Sequence, residues 1–497
     1  MALLERSEWY DYTRLTNWTP KYVTEEEIFP AMHSGMADVP LSVFDSYDEP
    51  YKISYREYVD VQRQKDAGAY SVKAALERAD MYNNADPGWI SAAKLHYGGV
   101  PVVEYHASLM ESRFVRFAKA PGMRNMGCFG AMDENRHAQI QLAFPHEYIN
   151  KDRQFDWATQ AYRSQHWGIL AARNLSDDMM MTRDVVQTAI MLNFAFETGF
   201  TNLQFIGLSS DAANAGDFSF AKMIQSVQSD EARHAQIGTP LLKLMIENGH
   251  AAEAQRMIDI SFWRTWRLFC VLSGIPMDYY VPLEHRENSW KEFMQEWIVD
   301  QFERNIRDLG LERPWYWDYF LNDLDEEHHG QHIGTYSWRP TLWWNPTAGV
   351  GKLEREWLEE KYPGWNDTWG KCWDVVIDNM VAGRMDKTVP GTLPVICKVS
   401  NLPVVGIPFK TAKVEQINYK GQNIQFGSMV DKWIFEQDPE RYCRTETLVD
   451  RFLAGKIQPA DLGGALAYMG LGTISDPADD SMNYSWVDQY RNPQAAE

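Results

Sequence analysis

From about residue 89 to 335 apolar residues recur every three or four positions, most cleanly over 184–209 and 217–248, with few prolines and little period-two alternation. This pattern predicts a body of packed helices. Residues 1–88 are rich in Tyr, Pro and Asp, as in Tyr47-Asp48-Glu49-Pro50-Tyr51 and Asp86-Pro87-Gly88, and predict short helical patches in an arm laid over that body. Pro and Gly return in Trp338-Arg339-Pro340, Asn345-Pro346 and Val389-Pro390-Gly391-Thr392-Leu393-Pro394, and β-branched residues gather around 395–427, so a small α+β region is expected there. The expected organisation is mainly α, with an arm over 1–88, a helical core over 89–338 and a C-terminal α+β region over 339–497.

Inside the helical body one short pattern occurs twice: Asp133-Glu134-Asn135-Arg136-His137 and Asp230-Glu231-Ala232-Arg233-His234. Glu and His three apart on a helix project from the same side on adjacent turns, so each pair can offer a carboxylate oxygen and an imidazole nitrogen to one ion. The face decides whether that happens in the core. At helical offsets from Glu231 lie Ile224, Val227, His234, Ala235 and Gly238, an apolar or small stripe; around Glu134 lie Gly130, Ala131, His137, Ala138 and Gln141. Both pairs are expected to point inward, where clustered carboxylates are costly unless a cation neutralises them.

Two Glu-x-x-His helices in a four-helix bundle call for one inward Glu from each of the other two helices. Glu104, amid Tyr97, Val100, Pro101, Ala107 and Ser108, and Glu197, amid Ile190, Phe194, Thr201 and Phe205, meet that requirement upstream of the two motifs. Four Glu and two His form an oxygen-rich set suited to iron or manganese and poorly suited to structural zinc. Pro101 is expected to distort its helix one turn before Glu104. A third Glu-x-x-His, within Glu326-Glu327-His328-His329 and followed by His332, lacks an inward Glu helix and is expected to be a solvated or interface cluster.

Composition narrows the class further. With 497 residues, 45% hydrophobic and 24% charged, the chain is neither disordered nor a disulfide miniature, and its net charge of −21 disfavours nucleic acid. Five cysteines without C-x-x-C spacing read as free thiols of a reducing compartment. Charged residues interrupt the first nine positions, and no run of about twenty apolar residues occurs, so a cytoplasmic protein without a membrane span is expected.

The spacing of Glu104, Glu134-x-x-His137, Glu197 and Glu231-x-x-His234 resembles the hydroxylase α subunit of soluble multicomponent di-iron monooxygenases. Asn17-Trp18-Thr19-Pro20, Tyr47-Asp48-Glu49-Pro50, Phe196-Glu197-Thr198-Gly199-Phe200-Thr201-Asn202, Pro314-Trp315-Tyr316-Trp317-Asp318 and Glu359-Glu360-Lys361-Tyr362-Pro363-Gly364-Trp365 place the likeness in the toluene and alkene branch, over nearly the whole chain. The resemblance implies a ferritin-like four-helix-bundle core with extra helices and two iron ions. Glu104, Glu134 and His137 would hold one iron and Glu197, Glu231 and His234 the other, with Glu134 bridging and Glu231 shifting between binding modes. It also implies Asp133 and Asp230 as acceptors for the imidazoles, balanced by Arg136 and Arg233. Thr201 would relay protons, unless its hydroxyl bonds back to its own helix. Asn202 and Gln228 would act as a gate. The implied partners are β and γ subunits in an assembly with two copies of each chain, a small effector protein, a Rieske-type ferredoxin and an NADH reductase.

Positions matching the family's substrate pocket are Val100, Val103, Ala107, Leu192, Phe196 and Phe205, all apolar, so a small hydrocarbon is the expected guest. Val103 stands immediately before Glu104 where aromatic-oxidising members carry Gly, leaving less room for a ring. Epoxidation of a small alkene such as isoprene or propene is therefore expected, with ring hydroxylation of toluene or benzene as the alternative. An iron-binding or structural subunit without catalysis is the alternative from a different class.

Overall fold

The computed structural model describes Tyr22, Thr24, Met36 and residues 38–156, 161–180, 182, 184–337, 349–384, 387, 394–405, 414–469 and 488–491. Asn17-Trp18-Thr19-Pro20, the expected boundary at Trp338-Arg339-Pro340, Asn345-Pro346 and residues 389–393 lie outside the described residues. Four long helices form the core. Helix α2 (Pro87–Phe117) packs along α3 (Pro121–Ala143), and α4, which begins at Val185–Ala189 and continues through Ile190–Thr201 and Asn202–Asn214, packs along α5 (Phe218–His234). This is the four-helix core that the two Glu-x-x-His motifs require.

Local chemistry starts each pair. The Asp86 carboxylate accepts from Trp89 N at 3.0 Å, with Pro87 in the first turn, where a missing N–H costs nothing. Between α4 and α5 the chain turns through Gly216 at φ +85°, a left-handed conformation that glycine adopts without a Cβ clash. Asp217 then caps α5 through Phe220 N at 2.9 Å and also accepts from Trp89 Nε1 at 3.2 Å, joining the two pairs at one end. Helix α2 stays continuous through Pro101.

The middle of α4, Ile190–Thr201, is π-helical, and the Asn202 N–H reaches back five residues to the Glu197 carbonyl. Such widened turns are rare and concentrate at functional sites. An aromatic cluster packs this segment against α7 (Ala251–Phe269), with Phe200 and Phe262 ring centroids 5.2 Å apart and Phe262 4.8 Å from Phe302.

Of two peripheral parts, the first differs from the pattern-based expectation and the second agrees with it. Among its described residues the arm holds, besides short helical turns at Leu41–Ser46 and Met81–Asn84, a 24-residue helix, α1 (Tyr55–Arg78), capped by the Ser54 hydroxyl and laid against α5. In the C-terminal region the β-rich stretch supplies, among the described residues, one hairpin, β1 (Glu415–Tyr419) with β2 (Gln422–Phe426), antiparallel with Ile417 opposite Ile424. Its turn residues Lys420 and Gly421 both have positive φ, the geometry that matches strand twist in two-residue turns. Among the described residues no helix is long and apolar enough to cross a membrane.

Helix α6 (Gly238–Glu247) starts so close to α4 that a Cβ on Gly238 would lie 2.6 Å from Phe194 Cβ and 3.0 Å from Phe194 N. Gly238→Ala is expected to destabilise the chain by about 1–3 kcal/mol through overpacking. Denaturant unfolding of the variant checks this, and an unchanged midpoint would show that the contact carries no weight.

Candidate metal centre

Helices α2 to α5 each send one carboxylate into the same buried space. Glu104, Glu134, Glu197 and Glu231 are between 1% and 7% exposed, and His137 and His234 are at 0% and 1%. Their ligand atoms fall into two sets, Glu104, Glu134, His137 and Glu231, and Glu134, Glu197, Glu231 and His234, each within 4.8 Å. Glu134 and Glu231 belong to both sets, so each occupies a position between two ion sites.

The convergence is not internal hydrogen bonding. His137 Nδ1 lies 2.9 Å from Glu231 Oε1, and His234 Nδ1 lies 2.9 Å from Glu134 Oε1. Yet Glu134 Oε2, Glu231 Oε1 and both Nδ1 atoms are buried without a hydrogen-bond partner. Atoms that approach without bonding one another are placed where they could hold shared ions. Four carboxylates also balance the charge of two divalent cations, and the hard donor set fits iron. On the protein's own charges, burial and then the Glu231 charge push Glu134 up to about 8 and Glu197 well above the carboxylate range. Burial favours neutral imidazoles, but the surrounding carboxylates outweigh it and hold both His residues well above their usual range. The cluster thus demands positive charge at its centre.

Each imidazole is fixed from behind by the other motif. His137 Nε2 meets Asp230 Oδ2 at 3.3 Å, and His234 Nε2 meets Asp133 Oδ2 at 3.0 Å. This cross-pairing leaves Nδ1 of both rings facing the cluster. Burial works to raise Asp133 and Asp230, but their bonds to the two His hold both below the usual carboxylate range. Arg233 pairs with Asp133 and, at 3.0 Å, with Asp230, while Arg136 reaches Asp230 at 3.1 Å.

Pattern reasoning missed the arm's share of this network. From α1, Gln62 Nε2 donates to both Asp133 Oδ1 and Asp230 Oδ1 at 2.8 Å, Tyr58 OH donates to Asp133 at 2.8 Å, and Lys65 pairs with Asp230 at 2.5 Å. The Ser54-x-x-Glu57 signature could have revealed the helix, but nothing local shows what it touches. Two amides were also missed. Gln141 Nε2 donates to Glu104 Oε1 at 2.6 Å, and Asn193 Nδ2 donates to Glu197 Oε2 at 2.8 Å. Each outer carboxylate therefore has one oxygen restrained.

The expected pocket residues Val100, Val103, Ala107, Leu192, Phe196 and Phe205 line one cavity, which ends on Glu104, Glu134, Glu197 and Glu231. Thr201 lines it too, with its buried hydroxyl unpartnered rather than bonded back to its helix. Asn202 and Gln228 are outside that lining; Gln228 Nε2 donates to Asn202 Oδ1 at 2.6 Å, tying α4 to α5.

The cluster around Glu326 requires correction. His328, His329 and His332 are fully buried, not solvated. They start helix α8 (Glu327–Ser337), where the Arg267 guanidinium pairs with Glu327 at 3.0 Å. Asp278, His328 and His329 are close enough to share an ion, and Asp278 accepts from His328 Nε2 at 2.7 Å, Tyr362 OH at 2.6 Å and Trp290 N at 2.8 Å.

A family model for methane, phenol and alkene hydroxylases matches residues 18–249. The chain is 46% identical to the alkene monooxygenase system oxygenase component subunit alpha of Xanthobacter autotrophicus, over 100% of both chains. The protein belongs to the methane, phenol and alkene hydroxylase family. A phenol 2-monooxygenase oxygenase component from a Pseudomonas species is 28% identical over 90% of this chain and 87% of that protein. The crystal structure of phenol hydroxylase from Pseudomonas sp. OX1 superposes with a TM-score of 0.85 at 24% identity, covering 98% and 100% of the two chains, and shows the same fold. As a member of this hydroxylase family, the chain is the α component of a multi-subunit monooxygenase whose cofactor is a carboxylate-bridged pair of irons.

Two outcomes follow for the centre. His137→Ala and Glu231→Ala should lose iron and all oxygenation while keeping the helical circular dichroism; full turnover in either would sink the ligand assignment. Gln62→Leu should weaken iron retention by roughly 10–100-fold, as for other residues that orient metal ligands. Chelator competition on the purified complex measures this, and parental retention would remove the arm from the site.

Proposed function

We propose that the protein epoxidises a small alkene, such as isoprene or propene, with Glu104, Glu134 and His137 holding one iron, Glu197, Glu231 and His234 the other, and Glu134 bridging. The observation that carries this reading is an apolar cavity whose polar end is formed by the four carboxylates. When bound, the iron pair supplies the redox chemistry that activates O2, delivering one oxygen atom to the hydrocarbon while the other leaves as water.

The chain's own residues do the rest. Val100, Leu192, Phe196 and Phe205 exclude water and bind a guest through apolar contact, and away from the carboxylates only Thr201 and Gln204 offer polar atoms, which favours an apolar substrate. Val103 narrows the cavity directly beside Glu104, which favours a small alkene over a ring. The Thr201 hydroxyl, unpartnered in the lining, is free to hold or pass a proton within the cavity. Glu231, which belongs to both candidate ion sets, would be able to shift its carboxylate between two bound ions. The Gln228–Asn202 bond serves as the latch between α4 and α5 that a docking effector protein opens.

The similarity to an alkene monooxygenase α subunit supports this substrate class. In this reading the chain works in the cytoplasm with β and γ subunits, two copies of each, an effector protein, a Rieske-type ferredoxin and an NADH reductase.

Competition between isoprene and toluene in cells expressing the complete system tests the substrate. Epoxide should dominate; cresol dominance would assign the same centre to ring hydroxylation, and neither product would leave an iron-binding subunit without catalysis. Val103→Gly should raise the toluene-to-isoprene ratio severalfold, and an unchanged ratio would remove the size argument.

A further inference from the structure

A seventh buried carboxylate stands behind the cluster. Glu111, two turns after Glu104 on α2, is 0% exposed and belongs neither to the two ion-holding sets nor to the cavity lining. Its Oε1 accepts from Asn193 Nδ2 at 2.9 Å, and the same nitrogen donates to Glu197 Oε2 at 2.8 Å. A side-chain amide nitrogen carries two hydrogens, so this geometry spends one on each carboxylate. Asn193 Oδ1 and Glu111 Oε2 are buried without hydrogen-bond partners. Helix α3 makes room for the arrangement: a Cβ on Gly130 would lie 2.7 Å from Glu111 Oε2.

Stability does not explain a carboxyl here, because an apolar side chain of similar volume would avoid its desolvation. The other outer ligand shows the contrast. Glu104 is restrained by Gln141, whose own oxygen meets His96 Nε2 at 2.7 Å. Each outer carboxylate thus has an amide, and each amide has a buried group that decides which way it faces. Burial, with the Asp133 and Glu231 charges adding and His234 and Asn193 opposing, pushes the Glu111 carboxyl up to about 7.

We propose that Glu111 is a positioning residue for the second iron: by accepting one Asn193 hydrogen it directs the other onto Glu197 Oε2, leaving Oε1 as the oxygen offered to the metal. Without that acceptor the Asn193 amide can turn its oxygen toward Glu197, where two acceptors repel, and the carboxylate reorients. The effect is confined to the iron held by Glu197 and His234. Glu111→Gln keeps an oxygen acceptor of the same shape and preserves the arrangement, whereas Glu111→Leu removes it.

The test uses the assembled hydroxylase and reads iron stoichiometry, chelator competition and Mössbauer spectra, with thermal melting as the control for folding. Glu111→Leu should alter the spectrum of one of the two irons and release that iron roughly 10–100-fold more readily, with Glu111→Gln restoring both. Asn193→Leu should reproduce the phenotype of Glu111→Leu and serves if that variant fails to assemble. Parental spectra and retention in both Glu111→Leu and Asn193→Leu would overturn the proposal, as would Glu111→Gln behaving like Glu111→Leu. The inference rests on the proposed ligand set, and the two fail differently: a parent without two irons sinks the ligand set, while a two-iron parent with unresponsive variants sinks only the role of Glu111.

Discussion

Four carboxylates held together out of water repel one another and lose hydration, and no packing of the surrounding helices repays that without positive charge between them. The rest of the fold is arranged around this demand. Each of α2 to α5 supplies one Glu, and the two motif helices add one imidazole apiece, so ions held by these groups would lie where all four core helices meet. Metal binding and helix packing are thereby one event, since separating any helix breaks a ligand set.

Rigidity comes from behind the ligands. Asp133 on α3 takes the His of α5 and Asp230 on α5 takes the His of α3, so the duplicated motif is also a reciprocal tie between two helices. Gln62 and Lys65 then fasten the arm to these aspartates, Arg233 pairs with both, and Arg136 pairs with Asp230. On the opposite side of the centre there is almost no polar atom beyond Thr201 and Gln204, and that asymmetry separates a charged, fixed wall from an apolar chamber.

What was legible in the sequence was what repeats locally. Glu-x-x-His on an apolar face identifies an inward pair without tertiary information, and two such pairs fix the number of missing carboxylates, which led to Glu104 and Glu197. The apolar lining came from the resemblance, as positions matching the family's substrate pocket. Cross-helix contacts were not legible: nothing around Gln62 or Tyr58 announces that their partners lie far along the chain. The π-helical turn through Glu197 was also hidden, because a widened helix shifts the face every residue occupies while leaving composition unchanged. The misread cluster at His328 failed for a related reason: its acidic neighbours suggested solvent, but Glu327 pairs with Arg267 and His328 with Asp278 inside the protein.

The central claim is that the shared carboxylates Glu134 and Glu231 hold two ions side by side. Iron analysis with X-ray absorption on the purified hydroxylase tests it most directly. The account predicts about two irons per chain with an iron–iron distance under about 4 Å; an active preparation with a single iron per chain, or with no iron–iron scattering at that range, would contradict it.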